Sequence, residues 1–256
     1  MKAMGKNWRI VATFVSFLIF GLGGLIFPLV ARPLLWLFVR DTAKRNRLGK
    51  TCIHYSFRAF VEIMQFLGVL KYKVSGLEQL STSGNLILAN HPTLIDVVML
   101  IAFIKNADCV VKSSLLKNPA TSGPILMAGY IANDSPLAVV EQAAHSLKQG
   151  NNVIIFPEGT RTTRNEALKL KRGAANIALT AQTEITPVII HCNPSALSKE
   201  HHWYEAANSR FEISIDIKHT INIDSFAQNE RTSHSSRQLT RYLERYFSEA
   251  VSEQIV

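Results

Sequence analysis

The hydrophobic pattern of the chain changes character near residue 70. Before it, from Ile10 to Ala31, the sequence reads "IVATFVSFLIFGLGGLIFPLVA" without a charge, and a second apolar stretch, "LLWLFV", follows Arg32 and Pro33. A run of this length meets the roughly 20 residues needed to cross a hydrocarbon core. The "GLGG" tract and Pro28 interrupt it, and basic residues flank both ends. These features favour a bent hairpin dipping into one leaflet, while a span stays open because membrane helices tolerate Gly and Pro. A signal peptide is a third reading, weakened by the length of the run and the lack of a small-residue cleavage site. Residues 52–70 carry apolar and aromatic side chains at mixed helical spacing, as a membrane-surface helix or a core helix would.

From Lys71 onward the pattern is α/β. Short apolar runs rich in β-branched residues occur at "KYKV", "NLILAN", "CVVK", "NVIIF" and "TPVIIH", each bounded by turn or polar residues. Between two of them, Pro136 to Gly150 reads as a helix closed by glycine. Alternating strands and helices predict a mainly parallel, mixed sheet flanked by helices. The segment "RFEISIDIKH" alternates Phe211, Ile213, Ile215 and Ile217 with polar neighbours and predicts a half-buried edge strand. A polar loop around 224–235 then leads into an amphipathic helix from about Ser235. The organisation expected is a membrane-associated helical segment over residues 1–50 and one folded domain over 51–256.

Composition narrows the class. Hydrophobic residues make up 47% and charged residues 18% of 256, which suits a globular protein that touches a membrane. The net charge of +9 calls for an anionic partner. Much of the basic charge flanks the apolar N-terminus (Lys2, Lys6, Arg9, Arg32, Arg40, Lys44, Arg45, Arg47, Lys50), which points to anionic lipid rather than nucleic acid. Three scattered cysteines form no metal spacing and fit a reducing, cytoplasmic setting.

Two constellations carry chemistry. In "ANHPTLID" the strand ends at Asn90, Pro92 forbids its continuation, and a helix is expected from Leu94, so His91 sits at a strand's C-terminal end, where open α/β sheets place ligands. Thr93 and Asp96 fit a capping box, which explains the aspartate but not the histidine. A capping carboxylate has a second oxygen, and the turn at Pro92 can bring His91 to it. One ring nitrogen would then be fixed and the other left as a general base. In "VIIFPEGTR" a second strand stops at Pro157 and delivers Glu158, Gly159, Thr160 and Arg161 into the turn beyond; an ordinary exposed turn reads the same way. Arg161 offers a planar fork for a phosphate or carboxylate. Arg164, Lys169, Lys171 and Arg172 follow, before a helix starting near Gly173 whose N-terminus could hold an anion. No GxSxG elbow, HExxH, Walker loop or metal-spaced cluster is present, so the natural nucleophile is a substrate hydroxyl.

"NHPTLID", with four residues between His91 and Asp96, followed some sixty residues later by "FPEGTR", resembles the glycerolipid acyltransferases. The resemblance covers roughly residues 70–195 and includes Pro187 in "TPVII". It implies an acyltransferase domain over 51–256 and acyl transfer from acyl-CoA or acyl-carrier protein to a lysolipid hydroxyl, with no acyl-enzyme, no metal and no cofactor beyond the donor. His91 and Asp96 would be catalytic, His91 taking the hydroxyl proton and Asp96 orienting its ring. Glu158, Gly159, Thr160 and Arg161 would bind the acceptor, Arg161 holding its phosphate. Membrane lipid and acyl donor are the partners implied, nucleic acid is not, and the place implied is the cytoplasmic face of a membrane. One block departs: the family often carries an Asp-Arg pair where "GYIANDS" ends in Asp134 and Ser135, so an arginine for glycerol phosphate is missing. Lys112 matches a basic position of that block and could compensate. An acceptor with another headgroup, such as a lyso-ornithine lipid, and a non-catalytic lipid-binding protein of the same fold are the competing readings.

Overall fold

The computed structural model describes residues 5–80, 84–161, 168–199, 210–227 and 232–253. Its strands are β1 Leu70–Ser75, β2 Leu86–Ala89, β3 Ala107–Val111, β4 Ile131–Ala132, β5 Asn152–Ile155, β6 Ile185–Asn193 and β7 Phe211–Ile217. They form one sheet in the order β1-β7-β6-β2-β5-β3-β4, parallel at every ladder except β6 against β7. The helices are α1 Lys6–Phe38, α2 Thr42–Phe66, α3 Asp96–Phe103, α4 Pro119–Ala128, α5 Pro136–Lys148, α6 Gly173–Ala181, α7 Asp224–Ala227 and α8 Thr232–Glu253.

The two-residue period of a strand sends alternate side chains to opposite faces, and here both faces are covered. From β2, Ile87 and Ala89 enter one core with residues of α2 and α3, while Leu86 and Leu88 enter a second with residues of α5, α6 and α8. This is why the central strands read as continuous apolar runs. The alternation in β7 is present, with Phe211, Ile213, Ile215 and Ile217 buried. Yet β7 lies inside the sheet between β1 and β6, and β1 is the edge. Alternation reports a half-covered sheet face, which an inner strand can also have.

The apolar N-terminal run is a single helix rather than a hairpin: α1 continues through "GLGG", Pro28 and Pro33, and the chain reverses only at residues 39–41. Packing explains the tolerance. A Cβ on Gly24 would lie 2.1 Å from Ala120 O, and one on Gly123 would lie 2.8 Å from the Pro28 ring, so small residues let α1 lie directly on α4. Asp41 caps α2 by accepting from Lys44 N at 2.6 Å. Residue 50, the expected boundary, falls inside α2, where Gly49 packs on Met127 O and the buried Lys50 pairs with Asp108 at 2.7 Å.

Candidate active site

β2 and β5 are hydrogen-bonded neighbours with Leu88 opposite Ile155, so the chain leaves both at the same edge of the sheet. Residues 90–96 and 156–161, more than sixty positions apart, therefore meet. Asn90 prolongs the order past the last ladder pair: its side chain donates to Ile190 O at 2.8 Å and accepts from Ile190 N at 2.7 Å, doing for β6 what a backbone would. Its sequence signal is a buried amide ending an apolar run, which requires partners.

Asp96 is 0% exposed and collects three donors. Its Oδ2 accepts from Thr93 N at 2.7 Å and lies 2.8 Å from His91 Nδ1, while Oδ1 receives the Thr93 hydroxyl. The helix begins at Asp96, later than Leu94, and Thr93 spends its hydroxyl on the carboxylate instead of on a backbone N–H. Half of the capping box is thus present, with the acid serving the Thr93 N–H. A carboxylate accepts only, so His91 Nδ1 carries the proton and Nε2 is left basic. The ring stacks on Phe156 with centroids 4.3 Å apart and keeps 20% of its side chain exposed.

Glu158, expected to face an acceptor, is 6% exposed and its Oε1 accepts from His91 N at 3.0 Å. It ties the β5 turn to the residue that bears the base. Burial pushes its carboxyl up to about 7 from an ordinary 4.5, with the Asp96 charge adding to the rise and the His91 N–H opposing it. Between these two values the unfolded chain releases the proton and the folded chain keeps it. Stability therefore falls as pH rises from about 4.5 to about 7, then levels off. Glu158→Gln keeps an oxygen for His91 N and removes the ionisation. In urea unfolding the variant gains on wild type by up to about 3 kcal/mol between pH 4.5 and 8. Parallel pH dependences for the two proteins would refute this.

Arg161 is half-buried, and its Nη1 donates to Leu197 O at 3.1 Å and Ser198 O at 2.9 Å. Leu197 O also accepts from Leu94 N at 2.9 Å, so the guanidinium and the residues after His91 grip one loop from two sides. Nothing local in the sequence marks this loop. Arg161→Ala leaves Ser198 O without this donor, and we expect a loss of roughly 1–3 kcal/mol of stability. Thermal unfolding checks it, and an unchanged Tm would show that the grip is not structural. Thr160 and Lys112 are exposed, the latter where β3 ends, and neither bonds to His91, Asp96 or Glu158 among the described residues. Gly159 has φ +71°, a conformation glycine adopts freely. Arg164 lies outside the described residues. Among the described residues no group of three His, Cys, Asp or Glu is placed to hold a metal ion.

Residues 71–191 match the family model described as Acyltransferase. Over this segment, a little under half of its length, the chain is similar to the acyltransferases. A 1-acyl-sn-glycerol-3-phosphate acyltransferase of Borreliella burgdorferi is 26% identical to it over 186 residues, 70% of this chain and 73% of that protein. One of Pseudomonas aeruginosa is 27% identical over 154 residues, 58% of this chain and 57% of that protein. Likeness of fold extends beyond the matched segment. The crystal structure of the 1-acyl-sn-glycerophosphate acyltransferase from Thermotoga maritima aligns at a TM-score of 0.77 with 20% identity, covering 99% of this chain and 98% of that one.

Proposed function

We propose that this acyltransferase moves a fatty acyl group from a thioester donor, acyl-CoA or acyl-carrier protein, to the free hydroxyl of a lysolipid such as 1-acylglycerol 3-phosphate. The observation that carries the reading is the 2.8 Å bond between His91 Nδ1 and the buried Asp96 carboxylate, which presents Nε2 as a base. Nε2 takes the hydroxyl proton as the oxygen attacks the thioester carbonyl. The new C–O bond forms, the C–S bond breaks, and the proton leaves with the thiol. Asp96 holds the ring in one tautomer and balances the imidazolium that forms.

Two further observations support a lipid substrate. An apolar cavity of about 350 Å³ lies between the helices, lined by Phe20 and Gly23 of α1, Phe57 of α2, Val97 and Val98 of α3 and Pro124 of α4. Val97 directly follows Asp96, so the cavity is walled by the same helix that carries the aspartate. The outer side of α1 is apolar and exposed, with Leu29 73%, Trp36 72% and Phe38 76% exposed, as a surface buried in a bilayer would be. The basic residues flanking the apolar run of α1, among them Arg9, Arg32 and Arg40, favour the anionic cytoplasmic leaflet as the side on which it works.

The test is the full chain in lipid, given both donor types and a series of acceptors: 1-acylglycerol 3-phosphate, a lyso-ornithine lipid and a monoacylglycerol. Mass spectrometry should show the acceptor gaining one acyl group. Lipid that co-purifies while no acceptor is acylated would make this a binding protein instead.

A further inference from the structure

One cation lies against the turn after β5 without belonging to either motif. A Cβ built on Gly159 would lie 2.6 Å from Lys171 Nζ and 2.8 Å from its Cε, so the ammonium rests directly on the glycine backbone. Any side chain at residue 159 would displace it. The base of the lysine is held as well: Lys171 N donates to Pro157 O at 2.8 Å, and the adjoining Leu170 N donates to Glu244 Oε1 of α8 at 2.9 Å. Lys171 is exposed, and it enters no ion pair among the described residues. Glu158, next to Gly159, bonds the backbone of His91. A short path of contacts therefore runs from this ammonium to the base.

Its rivals as the acceptor's cation are otherwise engaged or placed. Arg161 commits Nη1 to two carbonyls. Ser135 stands at the start of α5, after the edge strand β4, and carries no charge. Lys112 lies beyond β3, on the far side of β5 from β2. A lysine ammonium is a compact point charge with three donors, suited to the rotating oxygens of a phosphate monoester.

We propose that Lys171 is the specificity-determining residue that selects acceptors bearing a phosphate monoester, with Gly159 kept bare so that the ammonium can lie over the turn. The proposal rests on the acyl-transfer reading above. Losing one charge-assisted contact of this kind costs roughly 10- to 100-fold in affinity. The experiment uses the full chain in lipid at saturating donor. It compares wild type, Lys171→Met and Lys171→Arg with 1-acylglycerol 3-phosphate as acceptor and glycerol 3-phosphate as competitive inhibitor.

Lys171→Met should raise acceptor KM and the inhibitor's Ki together, each by roughly 10- to 100-fold, with kcat and donor KM within about threefold of wild type. Lys171→Arg should recover most of both. An unchanged acceptor KM and Ki overturns the proposal. So does a variant whose kcat and both KM values shift along with its Tm, since that is the mark of a packing role. If wild type acylates no acceptor at all, the acyl-transfer reading falls and takes this one with it. A working wild type with an indifferent Lys171→Met removes only the lysine.

Discussion

A His91→Ala enzyme should transfer acyl groups roughly 10²–10⁴-fold more slowly than wild type while folding as well. The ring contributes little to the core: it is 20% exposed and its stack on Phe156 is one aromatic contact. Aromatic pairs of this kind are worth about 0.5–1.5 kcal/mol. Removing the ring leaves the buried Asp96 with the Thr93 N–H and hydroxyl, so the carboxylate keeps two of its three donors. The rate loss should therefore appear without a matching loss in urea unfolding. It should fall on kcat, since the base acts as the hydroxyl attacks and not as the lipid binds. Turnover that survives the change would remove His91 from the reaction.

Asp96→Asn separates the two duties of the carboxylate. An asparagine can turn its oxygen to the place of Oδ2, where it still accepts from Thr93 N and His91 Nδ1, and can donate its amide to the Thr93 hydroxyl, which then accepts. The geometry survives and only the charge is lost. The expected result is near-wild-type stability with kcat down by roughly 10²–10³, since the imidazolium formed during the reaction has lost its counter-charge. Asp96→Ala also strands a buried N–H and should cost a further 1–3 kcal/mol, roughly, in unfolding. If the asparagine and alanine variants lost equal stability, the cap and the base would not be separable in this way.

The parts of the fold legible from sequence are those whose signal is local and repeated. The strands from β2 to β6 that carry doubly buried runs announce themselves because both faces demand apolar side chains. His91 and Asp96 were legible as a pair because their contact spans five positions. What escapes depends on distant partners. Glu158 looks like an exposed turn residue until β5 is placed beside β2, and its partner is 67 residues away. Asn90 is a bystander until Ile190 is opposite, 100 residues on. The grip of Arg161 on the loop at Leu197 needs the path of the chain after β6, which no periodicity encodes. β4, with two residues, is too short to carry a pattern at all. The helical path of α1 through Gly and Pro is decided by α4, because Gly123 makes room for Pro28.

That packing has a practical outcome for anyone wishing to work with a water-soluble form. Phe20, Gly23 and Phe27 of α1 are part of the wall of the apolar cavity, and Gly24 sits against the backbone of α4. Cutting the chain at the reversal near Thr42 would thus not detach a passive tether; it would unroof the space beside Val97 and Val98 and bare the buried side of α4. The shortened protein should be sticky and slow, and any loss of activity in it would say nothing about His91.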